Sequence, residues 1–98
     1  MTPKDLLPDL RNYLDITWED APGDEKLLGI LSRGMDYLNR IAGEQLDYGE
    51  ERQPRALLFD YVRYVRSGAM DEFQKNYLHE LLSLQIEKEA KRYAESEF

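Results

Sequence analysis

An all-α fold, a compact bundle of about four helices with a projecting C-terminal helix or tail, is what this sequence predicts. Apolar residues recur at helical spacing almost throughout, and no segment keeps the strict alternation of a half-buried strand. Gly and Pro punctuate the chain where that spacing stops. Ninety-eight residues allow one domain and no more, with a core of modest size.

The first helix lies within residues 4–14, with Leu6, Leu7, Leu10, Tyr13 and Leu14 on or near one face. Thr2-Pro3 can serve as cap and first position, but Pro8 then sits inside the helix and removes a hydrogen bond. A start at Asp5 keeps Pro8 within the first turn, where its missing N–H is tolerated, and is the preferred reading. Residues 15–24 contain Trp18, Pro22 and Gly23 and read as a loop that ends on Asp24 as N-cap. The second helix runs from there to about Ala42, on a stripe of Leu27, Leu28, Leu31, Met35, Leu38 and Ala42, and Gly43 stops it. Gly34 beside that stripe marks a close helix crossing.

Residues 43–53 are polar and form a loop. Pro54 opens the third helix, which runs to about Arg66 with Leu57, Leu58, Tyr61, Val62 and Val65 inward, and Ser67-Gly68 breaks it. The fourth begins near Met70 or Asp71 and continues past residue 90, with Phe73, Tyr77, Leu78, Leu81, Leu82, Leu84 and Ile86 on its apolar face. The chain therefore divides into a helical domain over 1–86 and a charged helical extension or tail over 87–98, where only Ala90, Tyr93, Ala94 and Phe98 are apolar.

Composition narrows the function classes. Twenty acidic residues against thirteen basic ones give a net charge of −7, which disfavours a general nucleic-acid binder. Cysteine is absent, so a disulfide framework, a thiolate zinc site and a cysteine nucleophile are excluded. A single His79 rules out the two-His metal motifs, and adjacent His79 and Glu80 diverge by about 100° on a helix. No phosphate-binding glycine loop, HExxH or GxSxG motif occurs. Asp20–Glu25 sets acidic residues around a Gly, but without the alternating ligands and downstream Glu of a calcium loop. No enzyme activity, cofactor or metal is expected. No stretch is apolar enough to span a bilayer or to act as a secretory leader, so the chain is expected to be soluble and cytosolic.

The distribution of charge says more than its total. Residues 15–51 carry ten acidic and three basic groups, whereas 52–66 hold Arg52, Arg55, Arg63 and Arg66 against Asp60 alone. Arg55, Phe59, Arg63 and Arg66 follow helical spacing and would form one ridge. That ridge has three readings: a solvated face or ion pairs within the subunit, direct phosphate contact, or a seam against the acidic surface of a neighbouring copy. In the third, Arg55, Arg63, Arg66 and Tyr64 face Asp20 and Glu25, a heterologous contact that can close into a ring.

Leu7-Pro-Asp-Leu-Arg-Asn-Tyr-Leu-Asp-Ile-Thr-Trp18 resembles the opening of the small head–tail connector proteins of tailed bacteriophages and prophages. The Asp24–Ala42 segment with its Gly43 stop is similar too. So are Ala56-Leu-Leu-Phe-Asp-Tyr-Val-Arg-Tyr-Val-Arg-Ser67 and Phe73-Gln-Lys-Asn-Tyr77-Leu-His-Glu-Leu-Leu-Ser-Leu84. The likeness covers roughly residues 5–86 and lies in the order and spacing of helix-packing patterns. It implies a structural virion protein with no enzymatic activity, active in the neck of the virion and assembled in the bacterial cytoplasm. Copies would form a ring under the portal protein, typically of twelve. The ring would extend the channel through which packaged DNA passes without sequence-specific binding, and would dock the next neck or tail protein. By the same resemblance Glu44, Asp47, Glu50 and Glu51 become candidates for the channel loop, and an acidic lining suits DNA that must slide without sticking. Lys91, Arg92 and Tyr93 become candidates for portal contact. Two other classes stand beside this one: a small helical protein-binding or regulatory module, as a dimer or alone, and a DNA-binding helical domain. The net charge and the connection of about ten residues between helices two and three oppose the last.

Overall fold

Five α-helices and no strand make up residues 1–96, the part of the chain that the computed structural model describes. The all-α expectation holds, and three boundaries differ from those read in the sequence.

Helix α1 (Pro3–Tyr13) starts two residues before Asp5. Thr2 is extended, and its backbone N–H and hydroxyl both donate to the Asp5 carboxylate, at 2.8 and 3.0 Å. These bonds hold the Asp5 carboxyl below its ordinary range. A tied first turn outweighs the single backbone bond lost at Pro8, which lies inside the helix on its exposed side. The chain leaves α1 through Asp15 in the left-handed region (φ 59°), and the Ile16 N–H returns to the Arg11 carbonyl at 2.9 Å.

Helix α2 (Ala21–Ala42) is capped by Asp20 rather than Asp24: the Asp20 carboxylate accepts from the Gly23 N–H at 3.0 Å. Pro22 and Gly23 thus belong to the first turn, where Pro gives up no bond. Asp24 is left free to pair with Arg11. At the far end Gly43 takes φ 73°, the left-handed stop that its position predicts. Helix α3 (Gln53–Arg66) follows, and Gly68 at φ 71° turns the chain back.

The expected fourth helix is two, α4 (Met70–Asn76) and α5 (Leu78–Ser96), broken at Tyr77. Its ring stacks on Phe73 at 4.7 Å and its hydroxyl donates to Asp60 of α3 at 2.9 Å. Drawing that side chain onto α3 takes the Tyr77 backbone out of helical values, to φ −109° and ψ 13°. Past the break α5 is continuous through residues 87–96. Phe98 lies outside the described residues.

Helix α2 is central and packs against α1, α3 and α5, while α4 lies on α3. Leu6, Leu10, Leu31, Leu38, Leu58, Val62 and Phe73 are completely buried between them. Phe73 carries Tyr61 and Tyr64 edge-on, at 5.6 and 5.7 Å. A Cβ on Gly34 would stand 2.7 Å from atoms of both Leu58 and Tyr61, so α2 and α3 do cross closely there.

Candidate functional site

The structure divides the arginine series of α3 instead of aligning it. Phe59 is buried and packs on Tyr13, so it forms no part of an exposed ridge. Arg55 turns inward. Its guanidinium donates to the carbonyls of Tyr48 (2.9 Å) and Gly49 (3.0 Å) and to the Asp9 carboxylate (2.9 Å). With its side chain only 11 % exposed, Arg55 clasps α1 and the 43–52 loop to α3 within the chain itself.

Arg63 points outward, 3.7 Å from Asp60, with its guanidinium 5.4 Å from the Tyr64 ring centre. Tyr64 is half-buried and packs edge-on against Phe73 and Tyr77. Asp60 is the polar centre of this side: the hydroxyls of Tyr13 and Tyr77 both donate to it. Burial first, and then the bond to the Asp60 carboxylate, push each of those phenols up to about 12.

Arg66 behaves differently. It lines a cleft of about 670 Å³ together with Asp20 and Glu25, residues more than forty positions away in the chain. Ile16, Leu27, Ile30 and Val65 form the apolar part of this cleft, and Lys26 and Arg33 add basic groups. Trp18 also lines it and is 54 % exposed. Arg11 fixes the geometry by donating to the Trp18 carbonyl and to Asp24. Three of the six residues assigned to a subunit seam are thus gathered in one place, and Arg55, Arg63 and Tyr64 stand apart from them. Trp18, Arg33 and Lys26 carried no sequence assignment; a lone Trp in a Pro/Gly loop was the one available signal.

The loop between α2 and α3 is held from below. Tyr48 is buried, its hydroxyl donating to Asn39 Oδ1 at 2.7 Å, and the Leu46 N–H donates to the same oxygen at 3.0 Å. Burial pushes the Tyr48 phenol up. Among the channel-loop candidates, Asp47 closes a turn onto the Gly49 N–H (2.8 Å), Glu50 pairs with Arg52 (2.7 Å) and Glu51 is exposed. Glu44 faces α5, 3.8 Å from Lys88 and 3.5 Å from Arg92. Arg92 also donates to the Ala42 carbonyl at 2.7 Å, satisfying a carbonyl at the C-terminal end of α2. Of the portal-contact candidates, Arg92 is therefore engaged within the chain, while Lys91 and Tyr93 are exposed.

Among the described residues no three His, Asp or Glu groups are placed to hold a metal ion, and no helix is long and apolar enough to cross a membrane. Comparison with family models, with curated proteins and with solved structures finds no match.

Proposed function

We propose that the chain is a structural subunit of the head–tail connector type, forming a ring under a phage portal, extending the DNA channel and docking the next neck protein. The order and spacing of the helical patterns over residues 5–86 carry the reading. The geometry supports it through the placement of contacts. The cleft of Asp20, Glu25, Arg66 and Trp18 lies at the N-terminal end of α2, and Arg92 meets α2 at its C-terminal end. Twenty-two helical residues, about 33 Å, separate the two ends. Distinct surfaces at opposite ends of one subunit suit heterologous contacts that repeat around a ring.

Glu50 and Glu51, exposed on the α2–α3 loop, are the residues that would meet passing DNA; Glu44 is taken up by α5. The role needs no catalytic group. The test is electron microscopy of the purified chain mixed with its portal protein. A ring bound to the portal is expected. A chain that forms no ring, either alone at high concentration or in that mixture, overturns the reading. The second reading, a small helical protein-binding or regulatory module, draws its support from an uncovered apolar stripe on α5.

A further inference from the structure

Helix α5 is apolar on two faces, and the fold uses one of them. Leu81 and Leu84 are buried against the bundle. Leu78, Leu82 and Ile86 are 51, 44 and 63 % exposed, and Tyr93 on the same helix is 69 % exposed. At about 100° per residue these four fall within an arc of about 80°, well apart from the buried pair. The face is long, spanning sixteen residues or about 24 Å. Among the described residues its only acidic group is Glu89, which lies inside the arc between Leu78 and Leu82; His79 and Ala90 lie just beyond the Ile86 edge.

We propose that this stripe pairs with the same stripe of a second copy, antiparallel, about a two-fold axis at Ile86. Symmetry and charge together select that occupant and orientation. The apolar positions 78, 82, 86, 90 and 94 are evenly spaced about residue 86, so reversing the helix lays that ridge onto itself. Leu82 then meets Ala90 of the second copy, Leu78 and His79 meet its Ala94 and Tyr93, and Ile86 meets Ile86. Glu89 falls beside Ser83 and Gln85 of the second copy, where an amide can donate to the carboxylate. A parallel pairing would set Glu89 against Glu89 in an apolar seam, which is costly. The contact is isologous and closes at two copies.

One helix face per subunit is small beside the roughly 800 Å² per partner of a standard interface, so the pair is weak and concentration-dependent. The pairing does not rest on the connector reading. Where both hold, Tyr93 is covered in the free pair and is released before it can touch a portal.

Sedimentation of the full chain tests the pairing, and the absence of cysteine makes site-specific cross-linking clean. At about 200 µM the chain is expected at the mass of two copies, and at about 1 µM at the mass of one. Leu82→Glu and the milder Leu82→Ala both shift the balance to one copy with helicity unchanged, since Leu82 is not part of the core. Mixed Leu82→Cys and Ala90→Cys chains, treated with a short bis-maleimide, cross-link to each other, while Leu82→Cys alone does not. A single-copy mass at the higher concentration, a mass above two copies, a pair indifferent to Leu82→Glu, or cross-linking of Leu82→Cys to itself each overturns the proposal. Ring formation on a portal is a separate measurement, so the two readings fail separately.

Discussion

Asp60 joins three helices through one carboxylate: Tyr13 of α1 and Tyr77 at the α4–α5 break both donate to it from either side of α3. Replacing it by Asn weakens two charge-assisted bonds and is expected to lower stability by about 1–2 kcal/mol at neutral pH, read from the urea midpoint. The same site sets an alkaline limit. Both phenols are raised from 10.0 to about 12, so below about pH 10 folded and unfolded chains hold the proton equally. As pH rises from 10 towards 12 the unfolded chain ionises first and stability falls. Urea titrations at about pH 8 and about pH 11 should show that loss in the native chain and a smaller change in Asp60→Asn, whose folded phenols lie closer to 10. Arg55 makes a comparable argument for its own side. Arg55→Ala is expected to cost about 2 kcal/mol, and Arg55→Lys to recover little of it, because an ammonium cannot reproduce three donors fixed in one plane. A residue that served only a subunit seam would leave the stability of a single copy unchanged.

Among the elements, the α2–α3 crossing and the α5 docking carry the clearest expectations. Gly34→Ala brings a methyl group to 2.7 Å from Leu58 and Tyr61, and the Tyr61 ring is stacked on Tyr37 and cannot swing away. Overpacking of this kind costs about 1–3 kcal/mol, more than the helix propensity of Ala returns. Gly29 on the same helix has nothing nearer than Arg33 at 3.9 Å, so Gly29→Ala is expected to stabilise by up to about 1 kcal/mol. The opposite signs, measured by thermal or urea unfolding, separate close approach from propensity. Helix α5 past Ile86 is tied by Lys88 and Arg92 to Glu44 and the end of α2. Arg92→Ala is expected to speed amide exchange over residues 87–96 roughly fivefold without moving the core amides. The stops at Gly43 and Gly68 were legible in the sequence, because a left-handed residue favours glycine locally. The break at Tyr77 was not, because its cause is a carboxylate seventeen residues earlier on another helix.

For the whole molecule, folding decides which charges remain exposed. The arginine-rich segment suggested one continuous basic face. Folding sends Arg55 into the bundle, leaves Arg63 beside Asp60 and places Arg66 in the Trp18 cleft. If the chain is the connector subunit proposed above, Arg66→Glu is expected to abolish ring formation on a portal, seen by electron microscopy, while unfolding of a single copy changes by less than about 0.5 kcal/mol. The acidic loop divides in the same way. Glu44 is drawn to α5, and Glu50 and Glu51 stay outside.

Helix class, the inward stripes and most stops follow from residues within a turn or two of one another, which is why the sequence alone determined them. Periodicity reports which face is apolar, and caps and glycines act on the backbone beside them. The destination of each long polar side chain was decided only by tertiary structure. Arg55 meets Asp9 across forty-six positions and Arg92 meets Ala42 across fifty, and no local pattern carries such a pairing. The second apolar face of α5 belongs to both accounts. Its residues are visible in the sequence as part of one broad apolar helix, and only packing showed that the bundle covers Leu81 and Leu84 and leaves Leu78, Leu82 and Ile86 to water. A helix buries the arc that its neighbours can reach, and here that arc is narrower than the apolar one the sequence wrote.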